Sequence, residues 1–150
     1  MKRIINLAVL AAIVVLAGLS AQSAVAGEQK AVLITGASTG IGRNMTERLA
    51  SEGYFVYAGA RKDKDLAELD ALENVKAVRL DVTSQEEVDA AVALVTKEGR
   101  GLWALVNNAG VATRAPVAEV ADSELDFVFD VNVKGVVRVT RGFLPLVVES

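Results

Sequence analysis

A glycine-rich turn separates a short apolar run from a helical pattern near the start of the chain. Residues 31–34 form the apolar run and predict a buried strand, while Ile41, Met45 and Leu49 recur at the spacing of a helix that Gly53 ends. The first N–H groups of a helix are unpaired and carry partial positive charge, so this position favours phosphate. A phosphate-binding P-loop of the Lys-containing type is excluded because no Lys follows Gly40. An ordinary glycine-rich loop is the alternative.

Short apolar runs continue to alternate with longer periodic segments after this turn. Strands are predicted at 54–59, 75–80 and 103–106, and helices around 66–72, 88–95 and 124–146. This alternation predicts βαβ units and a parallel sheet. The fold class is α/β, a Rossmann-type doubly wound parallel sheet that stops after its fourth strand and the long helix that follows.

Several residues are candidate helix boundaries. Thr83 with Glu86, or Ser84 with Glu87, offers a capping box for the helix around 88–95. The last helix has two further candidate caps, Asp122 and Ser123, and Pro145 is expected to kink or fray its end.

Composition excludes several classes of site. The chain has no cysteine and no histidine, so zinc sites built on thiolate or imidazole, Cys–His catalysis and Ser–His–Asp catalysis are excluded, and no metal site is predicted. The net charge is −3, and without Lys2 and Arg3 it is 14 basic against 19 acidic residues, or −5. Nucleic-acid binding is therefore not expected, since it needs a positive surface.

The N-terminus is typical of a targeting segment. Lys2 and Arg3 precede an apolar run at residues 4–19, and Ala24-Val25-Ala26 resembles a cleavage site. Residues 1–26 are predicted to be a signal peptide or a membrane anchor, with membrane association through residues 4–19; a buried element of the domain is the third interpretation. The protein is accordingly expected to be exported or membrane-anchored, and residues 27–150 to form the domain.

Four segments, in order, resemble the short-chain dehydrogenase/reductase superfamily. The segment Thr35-Gly36-x-x-x-Gly40-Ile41-Gly42 is similar to its cofactor signature, Asp81-Val82 follows the third strand, and Asn107-Asn108-Ala109-Gly110 is similar to its N-N-A-G motif. Asn132 matches the family's catalytic Asn, which anchors a proton-relay water. The resemblance, together with the position of Arg61, assigns these residues to the cofactor: Thr35, Gly36, Ser38, Thr39, Gly40, Ile41, Gly42, Arg61, Asp81, Val82, Asn108, Ala109 and Gly110. Gly101-Leu102-Trp103 and residues 143–146 are similar to the retinol, hydroxysteroid and 3-hydroxybutyrate dehydrogenase-like branch.

The end of the second strand predicts which nicotinamide cofactor binds. Ala60 stands where an acidic residue would accept the 2′-hydroxyl of NAD, and Arg61 can grip the 2′-phosphate of NADP. NADP(H) is therefore favoured over NAD(H). NAD(H) remains possible if Asp63 or Asp65 turns inward, or if Arg61 only solvates a loop.

The resemblance implies hydride exchange with a small alcohol or carbonyl substrate, and a homo-oligomer for a complete chain. Of the family's catalytic residues only Asn132 has a match, because Tyr54 and Tyr57 have no Lys four residues on and Ser150 comes too early. The chain alone is therefore expected to be inactive, and to be poorly soluble because its fourth strand is an apolar edge. The alternatives are a non-catalytic module that binds NADP(H) or a partner, and a membrane-anchored structural protein with a relict turn.

Overall fold

The computed structural model describes residues 29–150. They contain one four-stranded parallel sheet with helices on both faces. The strands are β1 (Ala31–Ile34), β2 (Phe55–Ala60), β3 (Val75–Arg79) and β4 (Ala104–Val106), in the order β3-β2-β1-β4. Both neighbours of β1 run parallel to it, with Leu33 opposite Tyr57 and Leu105. The predicted Rossmann-type α/β fold is confirmed. The order reverses at β1, and this switch point is where such sheets bind ligands.

Helices connect the strands and follow the last one. They are α1 (Gly40–Ser51), α2 (Asp63–Asp70), α3 (Gln85–Glu98), α4 (Asp122–Phe129) and α5 (Val136–Val148), with a 3₁₀ turn at Val117–Glu119 and a π-helical segment at Asp130–Gly135.

Two apolar layers cover the two faces of the sheet. Leu33, Tyr57 and Val78 face a layer that includes Val88 of α3 and Phe143 of α5. The neighbouring positions point the other way, towards α1 and α2; this second layer contains Val32, Ile34, Val56, Ala58, Ala50 and Leu69. Successive side chains of a strand alternate between faces, so strands buried on both sides have no polar face. The functional surface is therefore left to the strand ends.

The cap predicted for α3 forms in part. The Ser84 hydroxyl accepts from the Glu87 amide at 3.2 Å, as a capping box requires. The Glu87 carboxylate does not return the bond to Ser84 but accepts from the amide of Asp81 at 2.6 Å. Glu87 thus joins α3 to the segment after β3 through the backbone of Asp81, which is itself a predicted cofactor residue.

The long final helix differs from its prediction in three ways. Asp122 is its first residue rather than its cap, and Ala121 at the cap position makes no side-chain bond. The π-helical segment interrupts it, and Pro145 lies inside α5, which runs on to Val148. A proline near the end of a helix removes only one backbone hydrogen bond, so the last turn still forms.

The predicted localisation, exported or anchored in a membrane, is wrong. Within residues 29–150, no helix is long and apolar enough to cross a membrane. The signal peptide or anchor predicted at residues 1–26, including the apolar run at residues 4–19, lies outside the described residues. Export or membrane anchoring was inferred from the composition of that run alone, and the described elements offer no spanning helix to support it.

Candidate cofactor-binding site

A cleft of about 330 Å³ opens at the carboxyl ends of the four strands. It gathers eleven of the thirteen predicted cofactor residues, namely Gly36, Ser38, Thr39, Ile41, Gly42, Arg61, Asp81, Val82, Asn108, Ala109 and Gly110. Two others, Thr35 and Gly40, do not line it. These residues come from four separate stretches of the chain, and the parallel topology brings them to one edge of the sheet.

Two glycines let the turn after β1 pack against the loop after β4. Gly36 has a φ of +65°, and a Cβ there would lie 2.8 Å from the Cα of Ala109. A Cβ on Gly42 would press on the carbonyl oxygen of Gly36 and lie 2.5 Å from the Nδ2 of Asn108. Real Cβ atoms do not approach other atoms so closely, so these two glycines are needed for the packing of the two loops.

The start of α1 faces the cleft without a side-chain cap. Thr39 occupies the N-cap position but makes no side-chain cap bond. Gly40 has a φ of +57°, and a Cβ there would meet open space. A helix start with uncapped N–H groups, bordered by glycines, is a suitable seat for a phosphate.

Ile41 lies outside the buried face that the sequence assigned to it. The buried residues of α1 are Gly42, Thr46 and Ala50, whereas Ile41 is 75% exposed and lines the cleft. The close packing of Gly42 against the turn fixes which face of α1 is buried and leaves Ile41 beside the cleft.

Thr35 lies beneath the cleft and joins its two main loops. Its buried hydroxyl oxygen accepts from the amides of Asn108 and Ala109, each at 3.0 Å. The Asn108 side chain in turn donates to the carbonyl oxygens of Thr35 at 2.9 Å and Gly36 at 3.1 Å. The next residue back, Asn107, bonds to Thr140 of α5 at 3.0 Å. The N-N-A-G segment thus fixes the position of the loops that surround the cleft.

Asp81 lines the cleft just after β3 and is held as an anion. Burial raises the pKa of this carboxyl, but hydrogen bonds from the backbone and hydroxyl of Thr83, together with the charge of Arg61, outweigh burial and leave the pKa below its ordinary value. The Thr83 bonds both go to Oδ1, at 2.9 and 2.7 Å. Oδ2 faces the Arg61 guanidinium at 3.6 Å. One carboxylate oxygen is therefore committed to the backbone turn and the other faces the cleft.

The loop after β2 places a cation, and not a carboxylate, at the edge of the cleft. Arg61 lines the cleft with its side chain 56% exposed. Asp63, which could have supplied a carboxylate to the ribose, is instead paired with the guanidinium of Arg79. Arg79 does not line the cleft.

Asn132 fixes the wall of the cleft through the backbone. Its Oδ1 accepts from the Val111 amide at 2.9 Å, and its Nδ2 donates to the Val111 carbonyl at 2.8 Å. Asn132 belongs to the π-helical segment and does not itself line the cleft, but its neighbour Val131 does. Gly135, in the same segment, leaves no room for a Cβ, which would lie 2.8 Å from Val82.

Neither tyrosine lies at the cleft. The Tyr57 ring is fully buried and its hydroxyl donates to Glu98 at 3.2 Å. Burial, then the charge of Glu98 and its hydrogen bond, raise the pKa of Tyr57 to about 12. Tyr54 precedes β2, at the opposite edge of the sheet, and its ring packs 5.8 Å from that of Trp103.

The sequence did not single out four residues that line the cleft. Gly59 is near the end of β2, Leu80 follows β3, Val111 comes from the loop after β4 and Val131 from the π-helical segment. The end of a strand is a general signal for the first two. No motif identifies Val111, and no helical period identifies Val131, because a π-helical segment shifts the helical register locally.

The parallel sheet, the glycine turn at its switch point and the cleft beyond its carboxyl edge define a dinucleotide-binding domain of the Rossmann class. Over residues 30–150 the chain matches the family described as short chain dehydrogenase. The chain therefore belongs to the short-chain dehydrogenase/reductase family, as its motifs predicted.

Known relatives agree with this assignment. The chain is 41% identical over 128 residues to a mitochondrial D-beta-hydroxybutyrate dehydrogenase from Bos taurus, in agreement with the predicted branch; the match covers 79% of this chain and 37% of that protein. The name of the bovine protein says that it is mitochondrial and does not indicate export. Among solved structures, a short-chain dehydrogenase from Streptomyces avermitilis superposes with a TM-score of 0.74 at 36% identity, over 81% of this chain and 45% of that one.

A further solved structure holds a nicotinamide cofactor. It is the L-sorbose reductase from Gluconobacter frateurii in complex with NADPH and L-sorbose, with a TM-score of 0.73 at 35% identity over 80% of this chain and 48% of that chain. The chain thus spans less than half the length of each of these relatives.

Proposed function

We propose that residues 29–150 form the cofactor-binding part of an oxidoreductase that uses NADP(H) on a small alcohol or carbonyl substrate. The observation that carries the proposal is the cleft, which joins an uncapped helix start at Thr39 to a cationic end at Arg61. A dinucleotide needs both a seat for its pyrophosphate and a group that reads its adenosine end.

The residues of the cleft fit this cofactor. Gly36 and Gly42 let the turn after β1 pack closely against the loop after β4, and this packing places the start of α1 beside the cleft. Asp81 carries a carboxylate oxygen that faces the cleft and can accept from the adenine amino group, as the family resemblance implies. Gly110 and Val111 form the wall beside Asn108.

Arg61 supports NADP(H) over NAD(H). Its guanidinium lines the cleft, Ala60 beside it offers no acceptor for a 2′-hydroxyl, and Asp63 is held by Arg79. A guanidinium can donate two parallel hydrogen bonds to a phosphate, which NAD(H) lacks at this position. The L-sorbose reductase was solved with NADPH, which is in keeping with this preference.

A bound nicotinamide would supply the hydride donor or acceptor. Asn132 has the role of holding the Val111 backbone, and by resemblance it serves the proton relay. The acid–base tyrosine that this chemistry requires is not at the cleft among residues 29–150, since Tyr54 lies at the other edge and Tyr57 is buried against Glu98. We propose that the chain alone binds cofactor without turnover.

The same observation favours a second candidate, a non-catalytic NADP(H)-binding module. The two proposals share the cleft and differ in whether the chain acts with a tyrosine supplied elsewhere. Reading the coding sequence beyond Ser150 separates them: a Ser followed by Tyr-x-x-x-Lys favours the oxidoreductase, and a stop codon favours the module.

Cofactor binding tests the proposal they share. NADPH should bind the full chain more tightly than NADH, and Arg61→Ala should weaken NADPH about 10-fold or more, the size of one lost charged hydrogen bond. NADH should change by less than about twofold, since it has no 2′-phosphate to lose. Lys62→Ala, which removes the adjacent charge, is the matched control. Equal losses for the two cofactors would discard the phosphate role of Arg61.

A further inference from the structure

Arg79, at the end of β3, touches the cofactor site without entering it. Its backbone lies opposite Ala60 in the register of the sheet. Its Nη1 donates to the carbonyl oxygen of Arg61 at 2.7 Å, and its Nη2 pairs with the carboxylate of Asp63. The Arg79 guanidinium therefore binds both the backbone of Arg61 and the carboxylate of Asp63.

Asp63 carries a negative charge close to Arg61 in the chain, and Arg79 neutralises that charge. It is the first residue of α2, only two positions after Arg61, and its side chain is 93% exposed. A free carboxylate here would oppose a 2′-phosphate bound at Arg61, because the two groups have the same sign. Without its partner it could also turn towards the ribose and accept a hydroxyl hydrogen bond.

We propose that Arg79 is a specificity-determining positioning residue, which neutralises and holds Asp63 so that the ribose end of the cleft accepts a 2′-phosphate. This inference rests on the proposed binding of NADP(H). It assigns the cofactor preference to two layers, Arg61 at the cleft and the Arg79–Asp63 pair behind it.

A double-mutant cycle on the full chain, made of Arg79→Ala, Asp63→Asn and the double variant, tests the proposal, with dissociation constants for NADPH and NADH measured by calorimetry. Arg79→Ala should weaken NADPH about three- to fivefold, the size of an exposed charge interaction. NADH should be unchanged or bind more tightly. The NADPH loss should shrink at high salt, since exposed charges are screened.

The second mutation distinguishes an indirect role from a direct one. In Arg79→Ala/Asp63→Asn the unpaired carboxylate is gone, so NADPH affinity should return close to that of the parent. Arg48→Ala, which breaks the exposed Arg48–Glu52 pair at the far end of α1, is the matched control and should leave both cofactors unchanged. Circular dichroism of each variant checks that the fold is kept.

Each outcome has a separate meaning. A loss that Asp63→Asn does not restore would overturn the proposal, because Arg79 would then bind phosphate directly or act on the fold. An unchanged NADPH affinity in Arg79→Ala would overturn it too. If the parent chain bound neither cofactor, the proposed function itself would fail, and that result is visible before any variant is made.

Discussion

Thr35 accepts two hydrogen bonds from Asn108, one from the backbone amide and one from the side chain. The Asn108 amide donates to the Thr35 hydroxyl at 3.0 Å, and the Asn108 side chain donates to the Thr35 carbonyl at 2.9 Å. They are 73 residues apart in the chain. The turn after β1 and the loop after β4 are therefore one structural unit, and the cleft between them is shaped before any ligand arrives.

Thr35→Val should weaken the fold. The variant keeps the branched shape of this buried side chain but removes the acceptor of two part-buried amides, those of Asn108 and Ala109. We expect a loss of about 2 kcal/mol in the free energy of unfolding, measured by urea denaturation. Thr96→Val is the control, because its hydroxyl bonds to Val92 on an exposed face of α3. Equal effects for the two variants would contradict the account.

Gly42→Ala and Gly40→Ala should behave differently. At position 42 a methyl group collides with the Gly36 carbonyl and with Asn108, so both the fold and NADPH binding should suffer. At position 40 the methyl group meets open space and the cost is the left-handed φ, about 1–2 kcal/mol. Gly53→Ala has the same kind of strain at the end of α1 and should leave cofactor binding intact. Equal stability for Gly42→Ala and the parent would refute the close packing.

Asn132→Ala should loosen the cleft wall. It removes both hydrogen bonds to the Val111 backbone. We expect the free energy of unfolding to fall by about 1 kcal/mol for each bond that is lost. Hydrogen exchange of the Val111 amide should accelerate, while that of the Ala58 amide in β2 should not. Asn132→Asp, which keeps the acceptor and loses the donor, should give an intermediate rate. Unchanged exchange at Val111 would show that the pairing is not maintained in solution.

The buried hydroxyl of Tyr57 should make the free energy of unfolding decrease at alkaline pH. Its folded pKa of about 12 lies above its ordinary value of 10.0, so the folded chain retains a proton that the unfolded chain releases. The stabilisation is complete below pH 10 and is lost as the pH rises towards about 12. Urea titrations across this window should show a smaller decline in Tyr57→Phe than in the parent. In a folded Tyr54→Phe chain, absorbance of the Tyr57 phenolate that titrates near its ordinary value of 10.0 would contradict the burial argument.

The sequence predicted the strands and their parallel arrangement because apolar runs and their alternation with helical patterns are local signals, and the family resemblance supplied most of the residues that line the cleft. Apolar runs define β1 to β4, and the residues at their carboxyl ends meet at one edge by topology. The sequence predicts that the glycine turn binds phosphate, but it does not predict that the glycines are also required by close packing between two loops. Gly36 and Gly42 are required by the approach of Ala109 and Asn108, which are more than 60 residues away in the chain and invisible to a local pattern.

Other features depended on tertiary contacts that no sequence period records. Ile41 matched an apolar helix face and instead lines the cleft. The π-helical segment places Val131 at the cleft and Asn132 on Val111, although the pattern of residues 124–146 predicted one regular helix. The pairing of Asp63 with Arg79 joins α2 to β3, and no local pattern indicates such a contact.

The most direct test of the account is to observe the backbone amides of the glycine turn while cofactor is added. In ¹⁵N-resolved NMR spectra, NADPH should shift the amides of residues 38–42 and the side-chain signal of Arg61, and the shifts should saturate together. NADH should shift the same turn and leave Arg61 nearly unmoved. Saturable binding that leaves residues 38–42 unchanged, or no binding of either cofactor to the folded chain, would contradict the claim that this cleft seats a dinucleotide.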